Sequence, residues 1–210
     1  MTGVAALLLV LALSVAVGDW IAVQRHSRPA EYLAKPLTMV LLIAAALALD
    51  PVDPAVRLAL VIGLSCSLVG DVLLMLPRNL FVGGLAAFLI GHLAYIAGLQ
   101  LRGQSGLGFV CGLVVVLAAV ALVGTRIVRA VRAGEQALVA PVTAYLAVIS
   151  FMVASAFGTA NGFAIAGALL FYISDALIAW NRFVHPRPWG RLAIMVTYHL
   201  GQLGLVLSLV

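Results

Sequence analysis

Charge is what this chain has least of. Only 9% of its 210 residues are charged, against roughly 25% in soluble domains, while 65% are hydrophobic and the mean hydropathy is +1.21. So few charges cannot solvate a globule, and one small core cannot bury that much apolar surface. A water-soluble domain and a disordered chain are both excluded. Cysteine is equally scarce: Cys66 and Cys111 both lie inside apolar runs. There they read as small buried hydrophobes rather than as a disulfide or a metal pair. The net charge of +5 would suit a nucleic-acid binder until the basic residues are located. They fall in short gaps between apolar runs, as membrane topology requires, so no nucleic-acid partner is expected. Met1-Thr2-Gly3 carries no positive side chain, and the run behind it outlasts the core of a signal peptide. The first run therefore reads as a retained span.

A hydrocarbon layer about 30 Å thick takes ~20 mostly apolar residues per helix. Eight segments qualify: 4–23, 36–49, 58–76, 80–99, 108–124, 138–156, 162–180 and 192–209. The second is short and is expected to borrow residues from its flanks. No soluble domain fits between them. The expected fold is all-α, one eight-helix transmembrane domain over residues 1–210.

The basic residues test the count. The odd-numbered gaps hold Arg25, Arg28, Lys35, Arg78, Arg126, Arg129, Arg132, Arg182, Arg187 and Arg191; the even-numbered gaps hold Arg57 and Arg102. Ten against two places the odd gaps in the cytoplasm and both termini on the opposite side. An Arg-heavy basic set and very short loops suit a bacterial inner-membrane protein.

Three acidic residues fall inside spans, where a carboxylate is costly unless paired or hydrated. They are Asp19, Asp71 and Asp175, each preceded by Gly or Ser and each on an outside-to-inside helix. Asp71 and Asp175 both stand five residues before the end of their segments, about 7.5 Å in from the boundary. Residues three, four, seven and eight apart share a helix face. Gly63, Ser67, Gly70 and Asp71 then line one helix, and Gly84, Phe88, His92 and Tyr95 another. A third carries Arg191, Met195, His199 and Gln202 with Tyr198 alongside, and a fourth Ser174, Ile178 and Asn181 next to Asp175. These faces are expected to meet in a polar chamber open to the cytoplasm. Gly63, Gly70, Gly201 and Gly204 read as packing positions.

Low dielectric, the negative end of a helix dipole and mutual repulsion all favour a neutral carboxyl over an anion for two such aspartates. A pair of this kind is a natural acid and base. Asp19 reads either as an interfacial residue or as a partner of Lys35.

The stretch from Gly167 to Asp175, continuing through Ile178, Asn181, Phe183, Arg191, Met195, Tyr198 and Gln202, resembles the lysoplasmalogenase (YhhN-like) family. So do Lys35-Pro36, Ser67 with Gly70-Asp71, and Phe88, His92 and Tyr95. The resemblance runs from about Lys35 to the end. It implies an eight-helix enzyme that hydrolyses the vinyl ether of lysoplasmalogens to a fatty aldehyde and glycerophosphoethanolamine or glycerophosphocholine. Its aspartates fall on Asp71 and Asp175, the implied catalytic pair. Lys35, His92, Asn181, Tyr198 and Gln202 also fall on matching positions, and with Tyr95 and Arg191 they form the implied substrate-binding set. His199 departs from the family pattern. Lys35, Arg182 or Arg191 is expected to hold the substrate phosphate.

No cofactor is implied, and the partner is a lysophospholipid or ether lipid in the membrane. Two alternatives stay open. His92, His199, Asp71 and Asp175 are a conceivable zinc set, although no close His-x-x-x-His spacing occurs. Intramembrane Asp, His and Lys also serve proton-coupled carriers. A serine lipase is disfavoured, since Gly63-Leu-Ser65-Cys-Ser67 is not a Gly-x-Ser-x-Gly elbow.

Overall fold

A computed structural model describes residues 2–50, 53–78 and 80–210, so Met1, the first residue of the single-domain reading, lies outside it. Among the described residues eight long helical rods follow one another. They are α1 (Gly3–Gln24), α2 (Arg28–Ala48), α3 (Pro54–Met75), α4 (Phe81–Leu101), α5 (Gly106–Gly134), α6 (Gln136–Gly158), α7 (Gly162–Val184) and α8 (Gly190–Leu207). Seven are long and apolar enough to cross a membrane. The exception is α8, whose length is diluted by Arg191, His199 and Gln202. Their outer faces expose Leu, Val and Ile in large numbers, the surface that hydrocarbon rather than water covers. The chain is an integral multi-pass membrane protein.

Helix starts follow a local rule. The odd-numbered helices begin on Thr2, Asp53, Ser105 and Asn161, whose side chains accept from Ala5, Ala55, Gly108 and Ala164 N–H. Each cap satisfies a donor that a helix end otherwise leaves open. The even-numbered helices start at the end that gathers most of the arginines and have no such side-chain cap.

Three boundaries differ from the sequence expectation. Helix α2 begins at Arg28 with Pro29 in its first turn and carries Pro36 inside it, so Lys35 lies within the helix rather than at its start. Helix α5 continues to Gly134 as an amphipathic extension that buries Ile127 and Val131 and exposes Arg126, Arg129 and Arg132. Helix α7 continues past residue 180 because Trp180–Val184 winds on as a π turn; a second π turn, Val120–Gly124, lies within α5. Asp175 is therefore nine residues from the end of α7, about 13 Å, and Asp71 four from the end of α3, about 6 Å. The depths expected to match, counted from the helix ends, do not.

Neighbouring helices pair as hairpins, and α7 against α8 approaches to backbone contact. A Cβ on Gly167 would stand 2.7 Å from the Leu205 nitrogen, and one on Gly201 would stand 2.9 Å from that of Phe171. Small residues let two membrane helices come this close. The Tyr95 ring occupies the space at Gly63, where a Cβ would meet it at 2.3 Å. That seat holds the Tyr95 hydroxyl against α8.

Candidate active site

The interior holds three polar clusters set around one phenylalanine. In the first, Lys35 Nζ from α2 lies 2.9 Å from Asp71 Oδ1, and the Tyr198 hydroxyl donates to Asp71 Oδ2 at 2.6 Å. Lys35 also stands 5.5 Å from the centre of the Tyr198 ring. In the second, the Tyr95 hydroxyl donates to Gln202 Oε1 at 2.7 Å and lies 3.5 Å from Ser67 Oγ. In the third, the Tyr145 hydroxyl donates to Asp175 Oδ2 at 2.5 Å, and His92 Nε2 stands 3.6 Å from the same oxygen. Phe171, wholly buried, packs its ring against His92, Tyr198 and Tyr95 at centroid distances of 4.7, 5.4 and 6.3 Å.

Helix periodicity explains the assembly. Asp71 and Ser67 are four apart on α3, as are Phe88 and His92 on α4 and Tyr198 and Gln202 on α8, so each helix presents two members inward. The expected faces do turn inward, but they do not enclose an open chamber. Aromatic rings fill the space, Asp71 keeps 1% of its side-chain surface, and among the described residues no hydrogen bond joins Asp71 to Asp175. Asp71 is held by Lys35 and Tyr198 and Asp175 by Tyr145, so the two carboxyls are bonded separately.

Space occurs beside Asp175. One small cavity of ≈ 50 Å³ lies between α5, α6 and α7, and a second of ≈ 50 Å³ lies between α3, α4, α6 and α7. Both have almost wholly apolar walls, and both reach Asp175 and Tyr145. Asp175 thus keeps 10% of its side-chain surface at the meeting point of two oily spaces.

The expected phosphate ligands are engaged elsewhere. Lys35 is paired to Asp71. Arg191 Nη2 donates to both Glu31 carboxylate oxygens at 2.9 and 2.7 Å, and Arg182 faces Glu135 at 3.3 Å. Asn181 does not reach the clusters; its Oδ1 accepts from the Arg187 N–H and so fastens the loop that leads into α8. Asp19 is fully buried, and among the described residues its oxygens have no hydrogen-bond partner. Among the described residues it is not bonded to Lys35. His199 Nδ1 accepts from Trp20 Nε1–H at 3.1 Å on the far side of Tyr198. No three His, Cys, Asp or Glu side chains among the described residues are grouped so as to hold a metal ion.

Tyr145 and Glu31 are the participants that sequence reasoning missed. Tyr145 lies in a mostly apolar helix without an acidic or basic neighbour, and nothing marks it until α6 is seen against α7. Glu31 sat in what the sequence reading treated as a loop.

The comparisons with known proteins bear on this geometry. A family model described as the YhhN family matches residues 30–209. Lysoplasmalogenase TMEM86B of Mus musculus is 37% identical over 146 residues, covering 69% of this chain and 60% of the mouse protein. The Homo sapiens protein of the same name is 37% identical over 147 residues, with the same shares. Lysoplasmalogenase TMEM86A of Homo sapiens is 33% identical over 163 residues, covering 71% of this chain and 64% of that protein. The chain thus spans about three fifths of the length of the curated relatives it matches. No solved structure matches.

Proposed function

The chain belongs to the YhhN family, and from that premise we propose that it is a membrane-embedded hydrolase of lysoplasmalogens. It splits their vinyl ether bond to a fatty aldehyde and a glycerophospho-headgroup. The observation that carries this reading is the Asp175 carboxyl, the polar point at which two apolar cavities meet. The vinyl-ether end of an alkenyl chain matches such walls in polarity, and the carbon to be protonated then lies beside an acid.

The chemistry asks for little else. A proton adds to the β-carbon of the vinyl ether, water captures the oxocarbenium ion, and the hemiacetal collapses to aldehyde and alcohol. Overall one water is consumed and the proton returns. Asp175 delivers that proton and, as the resulting carboxylate, takes one from the attacking water. His92 suits the cycle. Its Nδ1 stands 2.5 Å from the Phe88 carbonyl, which only accepts, so the ring hydrogen lies there and Nε2 turns a lone pair toward Asp175. His92 Nε2 is otherwise without a hydrogen-bond partner among the described residues, and a closer approach to Asp175 would let it take the carboxyl proton. The Tyr145 hydroxyl stabilises the carboxylate once the proton has left.

Asp71 is the second aspartate of the reading. It is anchored by Lys35 and Tyr198. Through Tyr198 it also holds the aromatic wall that excludes bulk water.

Purified protein in detergent, given a vinyl-ether lysolipid, a saturated-ether analogue and an acyl analogue, tests this. Aldehyde from the first and no cleavage of the other two is the expected result. Equal cleavage of the acyl lipid, or no aldehyde, overturns it.

A further inference from the structure

A third space lies on the outer surface of the bundle. A groove of ≈ 880 Å³ runs between α5 and α7, and its walls are almost entirely apolar. The cavity proper takes up ≈ 400 Å³ of that space, toward the small end of the ~300–1,000 Å³ of small-molecule sites. Val123, Tyr172 and Ala176 line both the groove and the inner cavity that reaches Asp175, so the two spaces are neighbours across one neck. The neck exists because α5 meets α7 chiefly through Thr125–Gly134 against Trp180–Val184. Beyond that contact the two helices part.

The groove's other end is not apolar. Trp180, Arg187 and Trp189 close it, and the Arg187 backbone is tied to Asn181 at the same level. Indole rings beside a guanidinium suit the level of lipid headgroups. Among the described residues Arg187 is also the groove's one cationic wall residue, whereas Lys35, Arg182 and Arg191 each face a carboxylate.

We propose that this groove is a docking site for a lysophospholipid drawn from the leaflet on the basic side. Arg187 holds its phosphate, the two tryptophans flank the headgroup, and the single chain passes the neck at Ala176 toward Asp175. The proposal rests on the lysolipid-hydrolase reading above. Lengths agree with it. Trp180 is five residues from Asp175, about 7.5 Å along the helix. From the phosphorus to the β-carbon of a lysoplasmalogen there are seven bonds, roughly 8 Å at the ~1.2 Å per bond of an extended chain. A phosphate at Arg187 therefore sets the reacting carbon at the depth of Asp175.

Intrinsic fluorescence offers a binding readout independent of turnover, because two of the three tryptophans flank the groove. In a Trp20→Phe background in detergent, lysophosphatidylcholine with a brominated chain should quench saturably. Arg187→Gln should weaken that binding about tenfold or more, yet leave quenching by a brominated fatty alcohol unchanged. Ala176→Phe, which narrows the neck, should lower aldehyde release while quenching persists. Non-saturable quenching, or an Arg187→Gln effect equal for both probes, overturns the proposal. If aldehyde release proceeds with unchanged KM in both variants, the groove falls and the hydrolase stands. Saturable, Arg187-dependent quenching by a protein that releases no aldehyde keeps the groove and retires the hydrolase.

Discussion

Lys35 and Asp71 form an ion pair of 2.9 Å in which the two side chains keep only 7% and 1% of their surface. Removing one member strands the other charge in a medium that cannot solvate it. Lys35→Met should therefore destabilise the protein by about 3–5 kcal/mol, whereas Lys35→Met with Asp71→Leu should recover most of that loss. Unfolding by titrated SDS, followed by circular dichroism, compares the variants. Equal stability of wild type and Lys35→Met would remove the buried pair from the account.

Asp175→Asn keeps the shape of the side chain and removes its acidity. Aldehyde release should fall by at least about 10²-fold, the usual contribution of a general acid, with an unchanged elution profile in size-exclusion chromatography. Near-normal turnover in this variant would assign the chemistry to another group.

Tyr145→Phe removes one donor from Asp175 and leaves the ring that packs on His92 at 5.2 Å. A hydrogen bond to a charged group contributes about 1.5–3 kcal/mol, so kcat should drop about tenfold or more with little change in KM. A change confined to KM would make Tyr145 a binding residue instead.

Phe171→Ala empties the centre of the three clusters. Truncating a buried phenylalanine costs about 3–5 kcal/mol, and here water gains a route between Asp71 and Asp175. The SDS midpoint should fall accordingly. No shift would mean that the neighbouring rings collapse into the space.

The ten-to-two distribution of basic residues predicts that both termini lie outside the cytoplasm. Alkaline phosphatase fused after Val210 should be active and a fluorescent-protein fusion dark; the reverse pattern would invert the topology.

Eight helices were legible because hydropathy and the alternation of arginines constrain the count independently. The polar faces were legible from spacing, since Ser67 with Asp71 and Tyr198 with Gln202 do turn inward. What fills the space between such faces is not written in their spacing. Phe88, Phe171 and Tyr198 occupy the volume expected to be an open chamber. Partner choice was equally hidden. The sequence offered Asp19 as a partner for Lys35, whereas the packing of α2 against α3 and α8 gives it Asp71. The depth of Asp175 failed because a π turn, which carries no hydropathy signature, prolongs α7.

Lys35 is the sole lysine of the chain. Locked against its carboxylate, its amine is out of reach of acylating reagents while the bundle is closed. Apart from the amino terminus, amine labelling has one target, and the rate at which Lys35 reacts becomes a clock for the opening of α2 from α3.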